Sequence, residues 1–252
     1  MRDLIIEKLK EIEDRYGVRI LFAVESGSRA WGFESPDSDY DVRFIYVRRK
    51  NDYLKLERVR DVIELPIDET LDINGWDLSK ALRLLHKSNP TLFEWFSSPI
   101  VYLKDEEFFL KIKPILSEYF SVKKSLYHYL SMAKTNYREY LHGDVVKAKK
   151  YFYVLRPLLA CRWILDNASP PPMRFDELSA AELPDELEYE VSKLLDIKKN
   201  CPEIMTIPRV DVVNKYLDES IEEIGGLISA QTEPSQKSWE ALNELFLSAV
   251  WE

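Results

Sequence analysis

The chain has 252 residues, 46% of them hydrophobic and 31% charged, which excludes wholesale disorder and suits one or two domains of ~150 residues. Its two cysteines, Cys161 and Cys201, cannot build a disulfide framework, so a reduced, cytoplasmic setting is expected. The opening MRDLIIEKLKEIEDRYG has no signal-peptide apolar core, and no stretch approaches ~18 uninterrupted apolar residues, so no membrane partner is expected.

The net charge of −9 argues, as a whole-chain figure, against phosphate-bearing partners. That figure averages unlike segments. Residues 121–175 hold ten Lys/Arg against three Asp/Glu, a balance of +7, whereas residues 176–252 hold six against eighteen, a balance of −12.

Residues 3–16 read as an amphipathic helix with Ile5, Leu9, Ile12 and Tyr16 on one face, ended by Gly17. Arg19–Glu25 is strand-like, Gly32–Ser38 a surface loop, and Asp41–Arg48 a second strand. Arg58–Leu65 and Thr70–Trp76 supply two more. Asp77 stands where a helix N-cap belongs, before LSKALRLLHK. Asn89-Pro90 stops that helix and starts TLFEWF, and IVYL follows as a short strand.

Beyond residue 104 the strand signals cease. Helices are expected over Glu106–Tyr119, with Pro114 as an interruption, over Val122–His142, and from an Asp144 cap through Leu165, where Pro157 should kink or divide the pattern. Helical segments near 183–200, 209–229 and 236–250 complete the chain. The expectation is an α+β protein: a small mixed sheet with helices over 1–104, then an all-helical domain over 105–252, basic at 121–175 and acidic at 176–252.

The chemistry concentrates in ESGSRAWGFESPDSDYDVRFIY, residues 25–46. Gly27-Ser28 follows a strand and opens a helical turn, where backbone N–H groups bind phosphate. After ten intervening residues come Asp39 and Asp41, whose alternate spacing at a strand start projects both carboxylates on one face. Such a pair repels unless a cation lies between, and Mg²⁺ takes one or two carboxylates together with substrate phosphates. A third carboxylate would complete a two-metal site with ions ~3.5–4 Å apart. Asp72, flanked by Leu71 and Ile73, is preferred, because an acid in an apolar strand is costly without a partner. Its rival Asp77 is explained as a cap worth ~1 kcal/mol. A lone Gly-Ser is a turn and a lone Asp-x-Asp is turn chemistry; their order along the chain carries the signal.

That order resembles the DNA polymerase β-type nucleotidyltransferase superfamily. The stretches GSRAWGFESPDSDYDVRFIYV (27–47), DINGWDLSKAL (72–82), KSNPTLFEWFSSPIVY (87–102) and KKYFYVLRPLLACRWI (149–164) resemble its RlaP/YcgL-like branch, named for RNA repair pathways. The resemblance implies transfer of a nucleoside monophosphate from a nucleoside triphosphate, ATP among them, to an acceptor hydroxyl, with pyrophosphate released; the branch name points to an RNA end as acceptor, and a protein side chain or a small molecule is chemically open as well. It implies Mg²⁺ as cofactor, with Mn²⁺ as the alternative. Asp39 and Asp41 would bind both ions, Asp72 the catalytic one, and Gly27 and Ser28 the β- and γ-phosphates. Arg29 would contact the leaving pyrophosphate.

In the basic segment, Lys147, Lys150 and Tyr151 share a helix face, with Arg156 further along. Lys123, Lys124, Lys134, Arg138, Tyr127, Tyr137 and Tyr140 add basic and aromatic character suited to a triphosphate or RNA. Lys150 and Tyr151 are the nucleotide-facing candidates, although many of the aromatics must be core. His86, His128 and His142 have no zinc-type spacing, and no Walker-type phosphate loop is present. A nucleotide- or RNA-binding module of the same fold without turnover is the alternative reading, and a scaffold acting through its acidic helices is a third.

Overall fold

The protein is described by a computed structural model over residues 1–57, 59–66, 70–232 and 237–251. Its elements run α1 (Arg2–Tyr16), β1 (Val18–Ser26), α2 (Gly27–Trp31), β2 (Tyr40–Arg48), α3 (Lys50–Tyr53), β3 (Val62–Glu64), β4 (Leu71–Asp77), α4 (Leu78–His86), α5 (Pro90–Ser97) and β5 (Val101–Lys104). They continue as α6 (Glu106–Tyr119), α7 (Val122–Tyr140), β6 (Val145–Lys147), α8 (Ala148–Asn167), α9 (Phe175–Glu182), α10 (Asp185–Asn200), β7 (Thr206–Pro208), α11 (Asp211–Ser229) and α12 (Glu240–Ala249). The fold is α+β, with a mixed sheet followed by a largely helical half.

The described residues fall into two compact units: Met1–Gly27, Asp39–Tyr119 and Ser235–Glu252 form one, Ser28–Ser38 and Phe120–Pro234 the other. These limits differ from a single boundary at residue 104. In the first unit α6 packs on the sheet, with Phe109 5.5 Å from Phe22 of β1 between ring centroids. The C-terminal α12 buries Leu242 and Leu245 in the same unit.

In the first unit the strand order is β3-β4-β2-β1-β5. Only β2 and β4 run parallel; the other neighbours are antiparallel. Ile5, Leu9 and Ile12 of α1 pack in one cluster with Val42, Phe44 and Tyr46 of β2 and Leu71 and Ile73 of β4. Since strand side chains alternate, the odd-numbered members of β2, Asp41 and Arg43, share the opposite face with Asp72 of β4. Farther along that face, Trp76 packs on Trp95 of α5 at 4.2 Å. The termini follow local chemistry. Gly17 closes α1 in the left-handed conformation, Asp77 accepts from Ser79 N–H at 2.8 Å, and Asn89 accepts from Thr91 N–H at 2.9 Å ahead of Pro90.

The expected strand at Arg58–Leu65 is realised as Val62–Glu64, and Arg58 lies outside the described residues, as does Gln236 at the start of the expected last helix. In the second unit the helix expected from Asp144 starts at Ala148, because Val145–Lys147 pairs antiparallel with Thr206–Pro208. The second half is therefore not all-helical. A helix at Phe175–Glu182 was also absent from the sequence pattern, and α8 and α6 continue through Pro157 and Pro114. Among the described residues, no helix is long and apolar enough to cross a membrane.

Gly75 of β4 lies opposite Phe44, and a Cβ there would overlap the Phe44 ring. Gly75→Ala should lower stability by about 1–3 kcal/mol in urea unfolding through overpacking. Gly226→Ala, on α11 where a Cβ meets nothing within 4 Å, should instead raise it by about 0.5–1 kcal/mol.

Candidate active site

The parallel register of β2 and β4 places Asp41 directly beside Asp72. Between them lies a residue that the sequence reading did not select. Arg43, two positions after Asp41, directs one nitrogen, Nη2, at both carboxylates: 2.9 Å to Asp41 Oδ1 and 2.7 Å to Asp72 Oδ2. Its other terminal nitrogen, Nη1, donates to the Val42 and Asp72 carbonyls, each at 3.1 Å. The three side chains keep 19%, 29% and 31% of their surface in solvent for Arg43, Asp41 and Asp72 respectively. The available signal was the Asp-x-Arg spacing, which puts acid and base on one strand face.

Two neighbours of Asp41 define its backbone and its carboxylate. Gly27 has φ +62°, and a Cβ on it would collide with Asp41 Oδ2, so the carboxylate rests where only glycine leaves room. Glu25 of β1 is fully buried, and its Oε1 accepts from the Asp41 backbone N–H at 2.8 Å. The Tyr102 hydroxyl donates to Glu25 Oε2. Burial, together with the hydrogen bond to Glu25 and its charge, pushes the Tyr102 phenol well up, keeping it protonated as a donor. Glu25 too was missed, although an acid closing the apolar run LFAVE demands a partner.

Asp39 is exposed and precedes Tyr40, the first residue of β2, so strand alternation does not fix its direction as expected. Among the described residues, no three His, Cys, Asp or Glu side chains gather to hold a metal ion. The structure brings together Asp41 and Asp72 and leaves Asp39 outside that pair. Even so, the pair suits a hard cation: adjacent carboxylate oxygens, a glycine cradle behind one of them, and a positive group already drawn between them. Asp77 is at the far end of β4, capping α4 and accepting from the Tyr53 hydroxyl at 3.0 Å. A cleft of about 520 Å³ opens at that far end, lined by Arg48, Tyr53, Asp61, Asp77, Ser79 and Arg83, and touches none of the candidate site residues.

Ser28 and Arg29 belong to the second unit. Ser28 is largely buried, and Arg29 turns back to donate to the Ser38 carbonyl at 2.7 Å. The loop they open is held from within that unit by Lys198, which is 2% exposed and donates to Ser35 Oγ at 2.8 Å and Glu203 Oε1 at 3.2 Å. Glu203 also receives Lys149 at 2.6 Å, and its backbone N–H donates to the Asp37 carboxylate at 3.0 Å. Burial lowers the Lys198 ammonium pKa, against the raising effect of Glu203.

Tyr151 is a correction. It is fully buried, its hydroxyl donating to Asn214 Oδ1 at 2.7 Å and accepting from Val210 N–H at 2.8 Å, so it is a core residue and not a nucleotide contact. Lys150 and Tyr151 are adjacent on α8 and point about 100° apart around it, which buries one and leaves the other half-exposed. Lys150 lies 3.5 Å from the Tyr140 ring centroid and 4.8 Å from that of Tyr153. Burial, then the charges of Lys149 and Lys147, lower its pKa. Tyr137 and Arg156 are likewise internal: the Tyr137 hydroxyl bonds Asp218 at 2.7 Å, and Arg156, 2% exposed, reaches the Met173 carbonyl at 3.2 Å. Lys124, Tyr127, Lys134, Arg138 and Tyr140 stay on the surface.

Comparison with known proteins matches residues 1–248 to the family described as "RNA repair pathway DNA polymerase beta family", RlaP. The chain is similar to the uncharacterized protein YcgL of Bacillus subtilis (strain 168), 47% identical over 253 residues that cover 100% of this chain and 97% of that one. A crystal structure of a nucleotidyltransferase-like protein from Exiguobacterium sibiricum aligns over 90% of this chain and 75% of that one, at 13% identity and a TM-score of 0.32.

The loop network carries a pH signature. Burial by itself raises the Glu203 carboxyl, but the Lys149 hydrogen bond and the Lys198 charge outweigh it and hold the group below its ordinary value of 4.5. Its stabilisation is therefore complete above the ordinary value and is lost as pH falls through the lowered one. Glu203→Gln should cost about 1–3 kcal/mol at pH 7 in urea unfolding, because it leaves the buried Lys198 ammonium without its charged partner. The gap to wild type should close progressively in acid.

Proposed function

The chain belongs to the RNA repair pathway DNA polymerase β family, a branch of polymerase β-type nucleotidyltransferases, and we propose that it transfers a nucleoside monophosphate from a nucleoside triphosphate to an acceptor hydroxyl. The observation that carries this reading is the in-register pairing of Asp41 and Asp72 on adjacent parallel strands. The acceptor oxygen would form a bond to the α-phosphorus as the bond to pyrophosphate breaks, and the hydroxyl proton would leave toward a nearby carboxylate or water.

Asp41 and Asp72, joined by Asp39 ahead of β2, would hold Mg²⁺ or Mn²⁺. Such ions supply charge neutralisation on the triphosphate and the acceptor oxygen. The chain's own groups do the rest of the work by positioning. Gly27 and Ser28 would seat the β- and γ-phosphates, and Arg29 would turn to the departing pyrophosphate. Glu25, fixed by Tyr102, holds the Asp41 backbone in place. Lys150, half-exposed in the first turn of α8, would meet the triphosphate or an RNA end. The family's description supports RNA as the acceptor class.

A second reading, a binding module without turnover, is favoured by one observation: Arg43 already neutralises both carboxylates. The two are separated by supplying each labelled triphosphate, Mg²⁺ or Mn²⁺ and RNA acceptors with free 3′ or 5′ ends. Transfer should appear in wild type and fall by on the order of 10²–10³-fold in Asp41→Asn and in Asp72→Asn, the equivalent of several kcal/mol of lost transition-state stabilisation. Nucleotide binding without pyrophosphate release under every condition would establish the module instead.

A further inference from the structure

We propose that Arg43 is a built-in counter-ion that occupies the cation position between Asp41 and Asp72 in the free protein and must withdraw before a divalent ion is taken up. The inference rests on the reading that these carboxylates hold metal, and it adds to that reading a competitor residing in the chain.

The geometry carries it. A single nitrogen, Nη2, serves both carboxylates, at 2.9 Å and 2.7 Å. It therefore stands where a shared cation would stand, and the two cannot occupy the position together. A guanidinium that merely tied β2 to β4 would need only one of those bonds. Nη1 is meanwhile held by the Val42 and Asp72 carbonyls at 3.1 Å, which keeps the group in place without help from substrate. Those anchors are neutral carbonyls, weaker partners than the carboxylates, so a divalent ion that takes the carboxylates also removes the stronger part of the hold on Arg43. Partial exposure of all three side chains leaves Arg43 a route into solvent once displaced. Affinity for a divalent ion in the absence of nucleotide is then the intrinsic affinity reduced by the fraction of protein with the arginine in place.

The test is Mn²⁺ binding to the nucleotide-free protein at pH 7.5, followed by the paramagnetic resonance of free Mn²⁺ and by the unfolding midpoint with and without the ion. Arg43→Gln should bind Mn²⁺ roughly tenfold more tightly than wild type, within the usual range of coupling between two ligands of one site. It should also gain more in midpoint on adding the ion. Arg43→Lys keeps a charge but lacks the second nitrogen for the two carbonyls, so it too should bind more tightly than wild type, and it carries the comparison if the glutamine variant fails to fold. Equal or weaker Mn²⁺ binding in the variants overturns the competitor role and leaves the metal reading standing. Absence of Mn²⁺ binding in wild type and variants alike, up to millimolar ion, overturns the metal reading and this inference with it.

Discussion

Two carboxylates held side by side on neighbouring strands repel, and the first unit is arranged around relieving that repulsion. The parallel pairing of β2 with β4 makes the juxtaposition of Asp41 and Asp72 unavoidable, because the register that buries Val42, Phe44, Leu71 and Ile73 against α1 turns the acids to the other face. A shift of one residue would bury the acids and expose the apolar set. Hydrophobic packing on one face therefore enforces electrostatic tension on the other. Arg43, carried by the same strand at the same phase, is the nearest relief that alternation allows.

Asp41 is the most constrained member of the pair. Its carboxylate lies against Gly27, its backbone N–H is bonded by buried Glu25, and Glu25 is in turn held by Tyr102 of β5. Contributions from β1, β2 and β5 thus converge on one side chain, with Asp72 of β4 beside it. A buried carboxylate bonded to a backbone N–H and a phenol is a rigid support, since loss of either partner leaves a buried acceptor unsatisfied. Precision at Asp41 is bought with that support and not with loop structure.

The parts legible in the sequence were those governed by neighbours along the chain. Helix α1 and its Gly17 stop, the strand runs, the Asp77 and Asn89 caps and the Gly-Ser to Asp-x-Asp order depend on local periodicity and capping. Asp77 could be read as a cap from sequence because a cap is a two-residue interaction. Arg43's second partner, Asp72, and Glu25's partners lie on other strands and emerge only once register is known, although the Asp-x-Arg spacing on β2 was there to be read. Tyr151 was misread for the complementary reason: a basic helix face looks continuous in sequence, and only the core around Asn214 shows that its phenol points inward. The β6–β7 pairing joins segments about sixty residues apart, each too short to show alternation.

Whole-chain charge is a poor guide to the field at any one surface, and the helical unit shows the reason. Of the basic residues in 121–175, Arg156 is spent on a backbone carbonyl and Lys149 on Glu203. Lys198, from the acidic segment, is buried under the loop that follows Ser28. Charge that is already paired inside a unit contributes little to an external field, whatever its sign in the sequence count. The same loop joins Gly27, in the sheet unit, to Asp39, where the chain re-enters it. The motif that reads as one continuous signature is thus divided between two cores: Gly27 and Asp41 are set by the sheet, whereas Arg29 donates to the Ser38 carbonyl of the loop that Lys198 and Glu203 hold. Substitutions in that network therefore act on the loop that follows Ser28 while leaving the carboxylate pair to Arg43 and Glu25.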